Sequence, residues 1–339
     1  MRNIIFNLPE QIQDASQIPV KLKRSRAAKY HNIVVAGMGG SGIGGDILRA
    51  SLAKSLAIPI ISVKDYRLPA FVTKNSLVFT VSYSGNTEET LEAFDHALKV
   101  GCRIIALSSG GELLKRCKKY KKEYIEIPQG LSPRCAIGYL FIPLLIALSK
   151  LGLIGSITKD IKETVRLLTA HRLQYENFAR NFARKLVNKL PIIYATSPLL
   201  LPVAERWRKQ FNENAEIIAH SNIFPELNHN EIMGITNPEQ LFSLYFILLI
   251  DPQAHPSNLK RVDYTLAIVK QNLRRAHKPL TLEYKKLPTE GKTNLAKIFS
   301  LIMLGDLTSL YLAQYRGVAP ELISAIDELK KKIENNKTK

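Results

Sequence analysis

The stretch VFTVSYSGNTEET, residues 78–90, runs from apolar residues into small hydroxyls around one glycine. Ser82, Ser84 and Thr87 fall close together, beside Gly85 and Asn86. A short β-branched run bounded by turn residues reads as a buried strand, and TEETLEAFDHALKVG (87–101) has amphipathic helical spacing. The hydroxyls therefore occupy a strand-to-helix turn. Neutral donors beside the unpaired N–H groups of a helix end suit a phosphate monoester. Asn86, with Glu89 three residues on, reads as the N-cap and capping box of that helix.

A second turn of the same kind lies upstream. IVVAGMGGSGIGGD (33–46) sets glycines between a strand and a helix, where backbone can approach a ligand. Gly37, Gly39 and Gly42 satisfy the dinucleotide fingerprint GxGxxG, and Asp65 follows the next strand where a ribose partner would sit. An NAD-dependent dehydrogenase is therefore one reading. The hydroxyl loop weighs against it, because a dinucleotide site has no need of such a loop after a later strand.

Further strand-like runs occur at 58–63, 102–108 and 123–128, with helical stretches between most of them. Continuous apolar strands alternating with helices indicate an α/β domain with a mainly parallel sheet. The pattern turns helical from about 137 to 190. A second set of strands is expected at 191–197, 216–220, 241–250 and 279–287, with helices at 293–316 and 320–335. The expected organisation is an N-terminal domain over 1–150, a helical connection over 151–190 and a C-terminal α/β domain over 191–339.

The composition of the 339 residues, 46% hydrophobic and 23% charged, fits a globular chain with a large core. Cys102, Cys117 and Cys135 lie far apart without a CxxC pair, which argues for a reducing, cytoplasmic setting and against a disulfide framework. The N-terminal segment lacks a signal-peptide pattern. The apolar stretches 137–148 and 241–250 are shorter than the ~20 residues of a spanning helix, so no membrane is implied. The net charge of +19 is spread over 21–29, 115–122 and 330–339. No nucleic-acid reading motif accompanies it, so solvated surface is expected, with steering of anionic substrates. His220, His229, Glu226 and Glu231 lack HExxH-type spacing, and no metal site is expected.

GMGGSGIGGD, VSYSGNTEET, Ser132-Pro133-Arg134, FNENAE (211–216), FPELNHNEIMG (224–234) and IFSLIMLGDLTSLYLAQYRGVAP (298–320) resemble the bifunctional phosphoglucose/phosphomannose isomerase family. That family belongs to the sugar isomerase (SIS) domain superfamily, with two such domains per chain, and the similarity runs over nearly the whole length. The resemblance implies that Ser82, Ser84 and Thr87 hold the substrate phosphate, and that Gly39, Gly40 and Ser41 line the sugar side. The anion would then be the C6 phosphate of a hexose.

Aldose–ketose interconversion moves a proton between C1 and C2 through an enediol, with no call for a redox cofactor or a metal. Glu213 matches the family's proton-transferring glutamate; a solvated acid at a helix end is the bland alternative. Arg134 matches the arginine that faces the developing enediolate. His229 matches the ring-opening histidine, which in the family arrives from the neighbouring subunit and so implies a homodimer. Lys330 matches a second ring-opening residue, although Lys331 fits with a one-residue slip. A SIS-fold sugar-phosphate sensor would keep the hydroxyl loop without Glu213, Arg134 and His229. All three are present, which favours the enzyme.

Overall fold

The computed structural model describes residues 1–23, 30–235, 243–275 and 282–337. Two short N-terminal helices, α1 (Arg2–Phe6) and α2 (Leu8–Gln17), precede the first sheet. The expected strands of this half form as β1 (Asn32–Ala36), β2 (Ile60–Val63), β3 (Ser76–Val81), β4 (Arg103–Ser108) and β5 (Glu123–Glu126). All pair in parallel, in the order β2-β1-β3-β4-β5. Helices α3 (Gly39–Leu52), α4 (Glu88–Val100), α5 (Gly111–Lys119) and α6 (Ile137–Lys150) complete the half.

The long helix α7 (Thr158–Leu186) leads to β6 (Leu190–Ala195), α8 (Leu201–Ala215), β7 (His220–Ile223) and the short α9 (Ile232–Ile235). Then come β8 (Leu244–Ile250), α10 (Pro256–Arg275), β9 (Tyr284–Pro288), α11 (Asn294–Tyr315) and α12 (Ser324–Lys337). The second sheet is also parallel, in the order β7-β6-β8-β9.

Three expectations shift. The strand expected over 216–220 begins only at His220, because Glu216 ends α8 in a left-handed conformation (φ +50°) and residues 217–219 carry the chain away from the helix. The strand expected over 241–250 starts at Leu244, with 241–242 outside the described residues. That expected over 279–287 is β9, with 279–281 likewise outside. Of the basic runs, 24–29 and 338–339 lie outside the described residues.

The inner strands β1, β3, β6 and β8 are covered on both faces, which explains why they read as largely apolar runs, whereas the edge strands β7 and β9 do not. In β1 and β3, Val34, Ala36 and Val78 face the core beneath α4 and α5, whereas Ile33, Val35, Leu77 and Phe79 face the other way. That second face enters the same core as Ile193, Ala195, Ile247 and Leu249 of the second sheet. The two sheets thus share one interior, filled by α2, α6, α7, α8 and α11.

Helix α11 is long and apolar enough by composition to cross a membrane, yet its residues 295–313 are all buried in this interior. A helix buried on all sides carries polar groups only where each has a partner. Lys297 reaches Asp251 (3.1 Å) and Gln253 (2.7 Å), and Asp306 takes Arg206.

Candidate active site

The sheet order reverses between β1 and β3, so the chain leaves these neighbours toward opposite edges. In open α/β sheets the crevice beyond such carboxyl ends is where ligands bind. The glycine turn follows β1 and the hydroxyl turn follows β3, so both border this crevice. Ser41 Oγ accepts from the Tyr83 N–H at 3.1 Å and ties the turns together.

Within the hydroxyl turn, buried Ser82 has its Oγ 2.9 Å from Thr87 Oγ1 and accepts the Gly85 N–H at 3.1 Å. Gly85 has φ +72°, and a Cβ there would lie 1.9 Å from the Gly110 carbonyl oxygen, so only glycine lets the turn close. Ser84 is exposed and accepts the Asn86 N–H at 3.2 Å.

The cap differs from the expected one. Thr87, not Asn86, is the N-cap of α4, and its side chain makes no capping bond. The Asn86 amide oxygen instead accepts the Glu112 N–H at 2.9 Å and caps α5. The N-terminal end of α4 therefore lies beside the hydroxyls of Ser82, Ser84 and Thr87, with no capping bond from its own N-cap residue. That is the local chemistry of an anion site.

The dinucleotide reading fails on topology. The order β2-β1-β3-β4-β5 is that of a flavodoxin-like sheet, not of a dinucleotide-binding one. Asp65 is exposed and accepts the N–H of its neighbour Tyr66 at 2.6 Å.

A partly enclosed cleft of about 80 Å³ opens beside the glycine turn, lined by Gly39, Gly40, Arg134, Lys209 and Glu213 among others. Arg134 sits on a 3-10 turn (Pro133–Cys135) pressed against the loop: a Cβ on Gly40 would come within 2.9 Å of the Pro133 carbonyl oxygen. Its guanidinium is 4% exposed. Nε donates to Asn214 Oδ1 (2.8 Å), and Nη1 donates to Ser132 Oγ (2.9 Å) and Glu213 Oε1 (2.9 Å). Nη2 donates to the Pro320 carbonyl, just ahead of α12.

Behind this pair lies a second tier. Arg206 donates to both Asp306 oxygens (3.1 and 2.6 Å) and to the Arg134 carbonyl (2.7 Å). Gln210 donates to Asp306 at 2.9 Å, and Asn214 to Ser309 Oγ at 2.9 Å. Burial pushes the Asp306 carboxyl up, against the pull of Arg206. Burial also holds the neighbouring Cys135 thiol up at about 11, so it is protonated at neutral pH and no nucleophile.

Gly39, Gly40, Arg134 and Glu213 thus meet in one cleft, with Ser41, Ser82, Ser84 and Thr87 at the adjoining turns. Two sequence-expected residues do not line it. His229 is exposed at the end of a 3-10 turn (Glu226–His229) and has no hydrogen-bond or ionic partner among the described residues. Its surroundings are pinned: Glu231 accepts from Asn222 (2.5 Å), pairs with His220 (3.0 Å) and accepts the Tyr194 hydroxyl. Lys330 is exposed on α12.

Arg206, Lys209 and Gln210 escaped the sequence reading. They stand seven, four and three positions before Glu213 on α8, so helical spacing alone puts them on its face. Burial pushes the Lys209 ammonium's pKa down, and the nearby Lys64 cation adds to this.

Two parallel sheets around one core, with glycine and hydroxyl turns meeting at a switch point, define a SIS-type phosphosugar-isomerase fold. Residues 175–333 match the family model described as the bacterial phospho-glucose isomerase C-terminal SIS domain. The chain is 41% identical to the bifunctional phosphoglucose/phosphomannose isomerase of Caldicellulosiruptor bescii over 97% of each chain. It is 37% identical to that of Thermoplasma acidophilum over 91% of each. The C-terminal domain of glucosamine-fructose-6-phosphate aminotransferase from Francisella tularensis shares the fold, with TM-score 0.68, 16% identity and coverage of 95% of this chain and 98% of that one. The chain belongs to the bifunctional phosphoglucose/phosphomannose isomerase family.

Proposed function

We propose that this protein interconverts glucose 6-phosphate, and also mannose 6-phosphate, with fructose 6-phosphate. The Glu213–Arg134 pair, 2.9 Å apart beside the glycine turn, carries this reading: a carboxylate next to a fixed cation is what proton transfer at a carbon next to a carbonyl requires. A sensor would have no use for that pair.

In this reading Ser82, Ser84, Thr87 and the N-terminal end of α4 hold the C6 phosphate. Gly39, Gly40 and Ser41 line the sugar. Once the ring is open, the Glu213 carboxylate takes the proton from C2 of the aldose. The C–H electron pair forms the C1–C2 double bond, and the carbonyl π electrons move onto O1. A proton passes from the O2 hydroxyl to O1, and Glu213 returns its own proton to C1, leaving the ketose. Arg134 stabilises the charge that develops on these oxygens. Fructose 6-phosphate reacts by the reverse route, and the planar enediol lets the proton return to either face of C2, giving glucose or mannose configuration.

His229, with Lys330, opens the ring. An exposed imidazole on a pinned segment suits delivery to a second copy's cleft, so the active form is a homodimer. A cytoplasmic enzyme of glycolysis or gluconeogenesis follows from the same reading. The test is a coupled assay on chelator-treated protein with fructose 6-phosphate, following both aldose products. Formation of both is expected; saturable binding without turnover would replace the isomerase with a sensor.

A further inference from the structure

We propose, on the isomerase reading above, that Lys209 is a catalytic residue of this site: its ammonium donates to the sugar oxygen that gains charge as the C1–C2 enediolate forms. Arg134 has four of its five N–H groups on Asn214, Ser132, Glu213 and the Pro320 carbonyl, which leaves a single Nη2 N–H for a developing oxyanion. Arg206 is committed to Asp306 and the Arg134 carbonyl. Lys209 lines the same cleft and makes no hydrogen bond or ion pair among the described residues.

Position adds to this. Lys209 lies one helical turn from Glu213 on the same face of α8, about 6 Å along the axis. The phosphate turn follows β3, whereas Lys64, whose charge Lys209 feels, follows β2, on the other side of β1. A hexose whose C6 phosphate sits at the β3 side crosses the glycine turn with its C1–C2 end toward Glu213 and Lys209.

The charged groups around Lys209 are Lys64 at the end of β2, Asp46 on α3, Glu205, Arg206, Arg208 and Glu213 on α8, and Arg134 across the cleft. Asp46 is already held by Lys64 at 2.5 Å. A half-buried ammonium with no carboxylate in direct contact among the described residues gains most when the substrate itself becomes an anion, which places the gain in the transition state. Burial and Lys64 lower its pKa, so the charged form, present below that pKa, is lost as the pH rises through it.

The experiment compares wild type, Lys209→Met and Lys209→Arg in three measurements. These are turnover of fructose 6-phosphate, inhibition by an aldonohydroxamate 5-phosphate with an anionic enediolate-like head, and inhibition by sorbitol 6-phosphate, which carries the phosphate on an uncharged chain. For Lys209→Met, kcat is expected to fall about 10²-fold and hydroxamate binding to weaken comparably, with sorbitol 6-phosphate unchanged. Lys209→Arg should keep activity near neutrality and lose it at higher pH than wild type, because a guanidinium stays protonated.

Wild-type hydroxamate affinity in Lys209→Met overturns the proposal. So does equal weakening of both inhibitors, which would make Lys209 a phosphate ligand. If Lys209→Met fails to fold, an unshifted alkaline limb in Lys209→Arg overturns it. Wild-type turnover with an indifferent Lys209→Met removes only this step, whereas absence of wild-type turnover removes the isomerase reading and this step together.

Discussion

Replacing Glu213 by Gln removes the base and little else. The Gln amide oxygen can still accept from Arg134 Nη1, now 2.9 Å from Glu213 Oε1, so the shape of the cleft persists. Arg134 is 4% exposed and keeps its bonds to Asn214, Ser132 and the Pro320 carbonyl. Glu213 is 29% exposed, so solvent screens the lost charge. Exchanging a charge-assisted bond for a neutral one costs about 1 kcal/mol, a fall in melting temperature of about 1–2 °C for a chain of this size. The chemistry suffers far more. Loss of a positioned base lowers kcat by about 10²–10⁴-fold, or about 3–5 kcal/mol of barrier. KM should hardly move, because the phosphate turn after β3 is intact. Coupled-assay kinetics on the variant, beside its melting curve, test both numbers. A kcat within a few-fold of wild type, from a folded variant, would refute the assignment. A rise in KM at constant kcat would make Glu213 a binding residue instead.

Three further outcomes follow. Ser84→Ala should raise KM about 5–10-fold with kcat preserved, since phosphate binding is shared by ground and transition states; a pure kcat effect in steady-state kinetics would contradict the role. Asp306→Asn leaves Arg206 buried without its counter-charge, so denaturant unfolding should show a loss of about 3–5 kcal/mol; a loss below about 1 kcal/mol would mean that the pair contributes little to the α8–α11 contact. Burial pushes the Glu231 carboxyl up, but hydrogen bonds from Tyr194, Asn222 and His220 carry it below the usual range. A depressed carboxyl stabilises fully above its unfolded pKa, near 4.5, and loses that contribution as pH falls through the lower folded value. The melting-temperature advantage of wild type over Glu231→Gln should therefore hold at neutral pH and shrink below about 4.5, and an advantage that grows on acidification would reverse the sign.

Inner strands were legible because both of their faces are buried, which writes them as apolar runs such as Ile33–Ala36 and Leu77–Phe79. What escaped was set by distant partners. The side chain of Asn86 has the right local pattern to cap α4, yet its acceptor goes to Glu112, brought alongside only when β3 and β4 pair. The late start of β7 depends on Glu216 taking a left-handed conformation, which the residue type does not announce.

The site divides in the same way. The face shared by Arg206, Lys209, Gln210 and Glu213 follows from helical spacing and could be read without coordinates. An acid at 306, flanked by apolar residues in a buried helix, already demands a buried cation. Which cation answers is a tertiary fact: Arg206 pairs with Asp306 and, through its remaining N–H, holds the Arg134 carbonyl. Arg134 comes from the half built on the first sheet, whereas its partners Asn214, Glu213 and Pro320 come from the half built on the second. Neither half carries a placed guanidinium by itself. The shared core thus sets the geometry of the chemistry: α8 and α11, packed between the sheets, hold in register a base from one half and a cation from the other.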